Sequence, residues 1–149
     1  MKSIDKLSVD LPLKLQKKIP KLVEAQQKTA QKVWEDIVKD APIKTGQYVS
    51  SIKIGATQVS EDKITTKIYT DMNVETIDGK RYNLGRLLEN GTKSHKIVAV
   101  RSNVLSDGVN FFGKVVNHPG TVAQPHFQPS LQKNKFYYKK EIGKAIIGG

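Results

Sequence analysis

The chain has 149 residues, with 25 Lys and Arg against 14 Asp and Glu, a formal net charge of +11. It has no cysteine, which excludes disulfides, thiolate nucleophiles and Cys-ligated zinc together and fits a reducing compartment. A chain of this length buries about two-thirds of its unfolded surface without help from a metal. Residues 1–149 therefore read as one domain, with a basic arm over residues 1–19 and a body over residues 20–149.

The start, Met1-Lys2-Ser3-Ile4-Asp5-Lys6-Leu7, lacks the apolar centre of a signal peptide, and no apolar run approaches a membrane span of about 20 residues. A soluble protein of intracellular origin, without membrane contact, is expected. Ile4, Leu7, Val9, Leu11, Leu13 and Leu15 alternate weakly and Pro12 interrupts them, so the segment before Lys21 is expected to be a short arm or helix.

Lys21–Gly46 is the stretch around which the rest is organised. Leu22, Val23, Gln26, Ala30, Val33, Trp34, Ile37 and Val38 recur at helical spacing, while Glu24, Lys28, Gln31, Lys32, Glu35 and Lys39 face the other way. Pro20 suits the first turn, and Pro42 disfavours helical geometry at Ala41, so both helix ends are marked. The stripe predicts that Trp34 and Ile37 are buried between this helix and a sheet.

Thr45-Gly46 follows as a turn, and Tyr48, Val49 and Ile52 suit one helical turn leading into a strand. Ile52 and Ile54, then Ile64, Thr66, Ile68 and Thr70, flank Ser60-Glu61-Asp62 and predict an antiparallel hairpin, one face of which covers the helix. Asp71–Arg81 reads as an excursion loop or small hairpin, with Asp78-Gly79 as its turn. Leu84, Leu87 and Leu88 predict a short helix capped by Gly91. Ile97–Arg101 and Val109–Val116, separated by a turn at Asp107-Gly108, read as strands of a central sheet.

His118-Pro119-Gly120-Thr121 turns the chain, and Gln124–Leu131 is expected to approach a last helix in extended form, with Pro129 in the first turn. Leu131, Tyr138, Ile142, Ala145 and Ile146 form that helix's narrow stripe. The fold class is α+β: a long N-terminal helix packed on an antiparallel sheet, a short middle helix and a C-terminal helix.

Charge is concentrated at the ends. Met1–Lys21 holds six lysines against Asp5 and Asp10, and Leu131–Gly149 holds five against Glu141. Basic ends point to an acidic partner, either nucleic acid or the acidic face of another protein, and solvated lysines are the plainer alternative. Lys14, Lys17, Lys18, Lys139 and Lys140 are the candidate interface residues.

Little chemistry is visible. His95, His118 and His126 lack metal-ligand spacing, Glu35-Asp36 and Glu61-Asp62 are adjacent pairs that suit no acid/base role, and no nucleophile elbow or phosphate loop occurs. No catalytic residue, cofactor or metal is expected. The aromatic residues do not interleave with arginines as a base-stacking platform, so a nucleic-acid reading rests on charge alone.

Three ordered motifs carry a resemblance. They are Ala41-Pro42-x-x-Thr45-Gly46-x-x-x-x-Ser51-Ile52, then Leu87-Leu88-Glu89-x-Gly91-Thr92, then His118-Pro119-Gly120-Thr121-x-x-Gln124-Pro125-x-Phe127-x-Pro129-x-Leu131. From about Lys21 onward the chain resembles the tail-completion, or minor-capsid, proteins at the head-to-tail connection of long-tailed double-stranded DNA bacteriophages. That resemblance implies a non-enzymatic virion protein of the neck, made in the host cytoplasm and assembled as a homo-oligomeric ring, hexameric in the family pattern. Its implied partners are head-completion or portal-side proteins and tail-terminator or tail-tube proteins, with DNA contact in the channel left open. The loop Asp71–Arg81, the segment Ser102–Gly108 and the basic arm depart from the family pattern. Alternatives are a small basic nucleic-acid-binding protein and a tail terminator. Physically, Gly46, Gly91 and Gly120 are expected at positive φ, and the proline-limited segment Gln124–Pro129 is expected at a sheet edge as a contact strand.

Overall fold

The computed structural model describes residues 6–10, 12–44, 46–75, 79–98, 105–106, 111–113 and 115–148. In chain order come a strand (β1, Lys6–Asp10), a 3-10 helix (Leu13–Lys18), the long helix α1 (Ile19–Asp40) and a short helix α2 (Gln47–Ser51). Three strands follow (β2, Lys53–Ile54; β3, Gln58–Val59; β4, Lys63–Tyr69), then a small hairpin (β5, Asn73–Glu75; β6, Arg81–Asn83) and α3 (Leu84–Asn90). Four strands (β7, His95–Val98; β8, Leu105–Ser106; β9, Phe111–Gly113; β10, Val115–His118) and two helices (α4, Phe127–Lys133; α5, Lys135–Ile147) complete the order. These elements form two units, Met1–Asp71 with Pro125–Gly149, and Met72–Gln124. The class is α+β, as the periodicities predict.

In the first unit, β4 is the central strand. It pairs antiparallel with β1 from Lys6↔Lys67 to Asp10↔Lys63, and along its other edge with β2 and β3. Ile64, Thr66, Ile68 and Thr70 are all buried, the period of two expected of a strand with one face on a core. Helix α1 lies against that face, and at about 1.5 Å per residue its 22 residues run about 33 Å. Pro20 sits in its first turn and Ala41 leaves it in an extended conformation (φ −67°, ψ 145°) ahead of Pro42. Leu22, Ala25, Ile64 and Ala145 form one core cluster, with Val9, Leu15, Ile19, Val23 and Ile142 packed on it.

Four expectations change in this unit. The segment before Lys21 holds more than the expected short arm or helix: besides the 3-10 helix Leu13–Lys18 it supplies β1, a strand of the sheet with Leu7 buried, because the weak alternation of Leu7 and Val9 finds β4 to pair with. The last helix is two helices, broken at Asn134. Gln124–Pro129 is not an edge strand, since Phe127 and Pro129 are already helical and Phe127 is buried. Trp34 is half-buried rather than buried, with its indole Nε1 donating to the Ile52 carbonyl at 2.8 Å, whereas Ile37 is fully buried.

The second unit begins with the β5–β6 hairpin, followed by α3. The Asn83 side chain accepts from the Arg86 amide at 3.2 Å to cap α3 at its start. Gly91 caps its end, donating to the Leu87 carbonyl at 2.8 Å. Strands β7 and β10 pair from Val115↔Val98 to His118↔His95, and β8 pairs with β9. The described strands of this unit thus form three separate two-stranded ladders in place of the single central sheet expected. The predicted turn at Asp107-Gly108, and Asp78 of the Asp78-Gly79 turn, lie outside the described residues.

Candidate functional site

Helix α5 runs antiparallel along α1, and the seam between them is polar. Lys21 Nζ donates to the Gly148 carbonyl (2.7 Å), Lys28 pairs with Glu141 (3.3 Å), Lys32 Nζ stands 4.1 Å from the Tyr137 ring centroid, and Asn134 Nδ2 donates to Asp36 (2.7 Å). Residues 21, 28, 32 and 36 recur at helical spacing, so α1 presents a second stripe beside its apolar one. Lys28 and Lys32, expected to face away, instead lay their stems along this seam with their charged ends exposed.

Acidic groups in the seam are held ionised. Asn134's hydrogen bond, joined by Lys133 and Lys32, outweighs partial burial and holds the Asp36 carboxyl below its ordinary value. Burial pushes the Glu141 carboxyl up, but hydrogen bonds and attraction from Lys144 and Lys28 exceed that and leave it lowered. Beneath the seam, fully buried Gln26 joins four elements. Its Nε2 donates toward the Leu7 and Ile64 carbonyls (3.1 Å each) and Thr66 Oγ1 (3.2 Å), and its Oε1 accepts from Tyr138 Oη at 2.7 Å. Burial raises the Tyr138 hydroxyl above its ordinary range, which keeps it a donor.

The candidate interface lysines come together at one end of this helix pair and separate at the other. Lys14 and Lys17 are exposed on the 3-10 helix, while Lys18 is half-buried with Nζ 3.5 Å from the Gly148 carbonyl. The two basic ends of the chain therefore meet at the end of α5, whose negative dipole end attracts cations. Lys139 and Lys140 lie farther along α5, both exposed. The same helix exposes Phe136 (88%) and Ile147 (85%), which the sequence stripe did not assign, and Ile146 (36%), which it placed on the buried side. Helical spacing carries the missing signal, since positions 136, 140, 143 and 147 share one face opposite Tyr138, Glu141 and Ala145.

The three motifs become two structural junctions. In the second unit Thr92 and Thr121 form a backbone bridge (Thr92 N to Thr121 O, 2.9 Å; Thr121 N to Thr92 O, 3.1 Å), and Gln124 N donates to the Leu88 carbonyl at 2.7 Å. Gly91 (φ 71°) and Gly120 (φ 88°) flank the bridge, and each lacks room for a Cβ: that of Gly91 would lie 2.6 Å from Thr121 O, and that of Gly120 would meet the Thr92 carbonyl oxygen. Glu89 is buried, Pro119 is exposed, and the register sets His118 opposite His95.

In the first unit, half-buried Pro42 leads to Gly46 (φ 78°), which starts α2, and Thr45 lies outside the described residues. Tyr48 of α2 is bonded to buried His126 (Oη to Nε2, 2.6 Å), next to Phe127 at the start of α4, whereas Pro125 and Pro129 are exposed. The glycines stand at positive φ as predicted, and the motifs' contacts shape turns. Among the described residues no group of His, Asp and Glu is arranged to hold a metal ion, and no helix is long and apolar enough to cross a membrane.

A strand, a long helix on an antiparallel sheet and a helix pair with a polar seam make up the first unit. Residues 2–91, more than half of the chain, match the HK97-gp10-like family, described as "Bacteriophage HK97-gp10, putative tail-component". The chain belongs to that phage tail-component family. The match takes in β1, α1, the sheet and α3; it begins well before Lys21, where the resemblance was expected to start, and ends ahead of the third motif. Among curated proteins and among solved structures, none matches the chain.

Proposed function

We propose that the chain is a structural protein of the phage neck, forming a homo-oligomeric ring, hexameric by family resemblance, that completes the tail and joins it to the head. The observation that carries this reading is the family match over residues 2–91, which spans the whole framework of α1 and its sheet. In this reading the neighbours along the axis are portal-side or head-completion proteins and tail-terminator or tail-tube proteins, and the protein resides in the virion. Strand β1, at the open edge of its sheet, replaces Gln124–Pro129 as the lateral contact between subunits. Lys14, Lys17, Lys18, Lys139 and Lys140 are left for the rings above and below.

The test is native mass in solution together with tail attachment in particles carrying Lys139→Glu and Lys140→Glu. Discrete oligomers, and attachment impaired more than self-association, are expected. Deleting residues 1–19 is a poor test because it removes β1, so Lys14→Glu and Lys17→Glu take its place. A second reading, a basic nucleic-acid-binding protein, is favoured by the net charge of +11 and by the meeting of the two basic ends. A monomer absent from purified particles, with duplex-DNA affinity falling steeply as salt rises, would establish that reading and remove the first.

A further inference from the structure

The outer face of α5 has no role in holding the described fold. Phe136 and Ile147 are almost fully exposed, and three turns of helix put them about 16 Å apart on one straight line. Between them on that line lie exposed Lys140 and half-buried Gly143, and a Cβ on Gly143 would meet nothing within 4 Å. Lys139 and Ile146 flank the line. Glycine in a helix interior is unfavourable unless something needs its small size, and neither a neighbour nor a positive φ requires it here. A large exposed apolar pair with a flat centre is the profile of a surface that receives another element.

Charge selects the occupant. The only acid of α5, Glu141, faces the seam and is bonded to Lys28 and Lys144, so the outer face presents cations alone. A second copy docked through the same face would set Lys139 and Lys140 against themselves, which like-charge repulsion disfavours. DNA would use the lysines but leave Phe136, Ile146 and Ile147 without partners, since duplex phosphates offer no apolar contact. A helix fits all three features: its apolar stripe meets Phe136 and Ile147, its backbone approaches at Gly143, and its carboxylates meet Lys139 and Lys140.

We infer that this ridge of α5 docks an acidic amphipathic helix of a different virion protein. The inference rests on the chain's being a component of the particle, and not on ring formation. The experiment places benzoylphenylalanine at position 136 of the full chain, irradiates assembled particles and identifies the cross-linked segment by mass spectrometry. Exposed Gln58 in β3 serves as the control position. The expected product is a link to an acidic helical segment of another virion protein, absent from the Gln58 control, its yield cut about tenfold by Lys139→Glu with Lys140→Glu while the helical circular-dichroism signal is unchanged. A link to a second copy or to DNA, or no link in particles that contain the chain, overturns this inference and leaves the neck reading standing. Particles that lack the chain overturn both.

Discussion

Gln26 should be the most consequential polar residue of the fold. Replacing it with methionine keeps length and volume but removes every hydrogen bond it makes. Three acceptors share its amide group, which has only two hydrogens, so two donated bonds and the one accepted from Tyr138 are the full-strength count. At about 1 kcal/mol per satisfied neutral bond the loss is about 3 kcal/mol. The easier burial of a thioether returns about 1 kcal/mol, for a net destabilisation of about 2 kcal/mol. Tyr138→Phe removes one of those bonds and leaves Gln26 Oε1 buried without its donor, costing about 1 to 2 kcal/mol. The double variant should lose about 1 kcal/mol less than the two single losses combined, because they share a bond. Urea unfolding followed by fluorescence of Trp34, the single tryptophan, measures all three variants. If Gln26→Met lies within about 0.5 kcal/mol of the parent, or the two losses simply add, the four-element junction is not the constraint argued for here.

Trp34→Phe should cost about 1 kcal/mol for the lost bond to the Ile52 carbonyl, and Trp34→Ala about 3 kcal/mol, the low end for an aromatic because the ring is half-buried. Circular dichroism replaces fluorescence as the readout, and a Phe variant as stable as the parent contradicts the bond. Gly46→Ala should lose about 1 kcal/mol from backbone strain alone, since space around it is open. Gly120→Ala should lose more, because the added methyl also meets the Thr92 carbonyl. Faster amide exchange at Thr92 and Thr121 would report the opened bridge, and equal losses at the two glycines would refute the steric argument. Asp36 and Glu141 both ionise more readily folded than unfolded, so the unfolded chain binds more protons at low pH. Their contribution is whole above the ordinary values of 3.8 and 4.5 and is lost as pH falls through the lower folded values. Glu141→Gln with Asp36→Asn should flatten the acid limb of the stability profile, and an unchanged limb would show that other groups set it.

The sequence by itself determined the elements that local physics controls. A 3.6-residue period bounded by Pro20 and Pro42 is enough to place α1, because helix periodicity and proline geometry act within a few residues. Alternation on either side of Ser60-Glu61-Asp62 similarly located β4 and its antiparallel partner β2, though not the short strand β3, and the need for positive φ marked Gly46, Gly91 and Gly120. Only the tertiary structure decided which partner each face meets. Leu7 and Val9 make too short an alternation to declare a strand, and β1 exists because β4, more than fifty residues later, offers a ladder to it. Lys28 and Lys32 look like a solvated face until α5 lies along them, and nothing local specifies that α5 comes back antiparallel. The exposed pair Phe136 and Ile147, in line with Gly143, was hidden for the same reason. A helix of mixed polarity has no single apolar side, so its inward face is settled only when Tyr138, Glu141 and Ala145 have found α1.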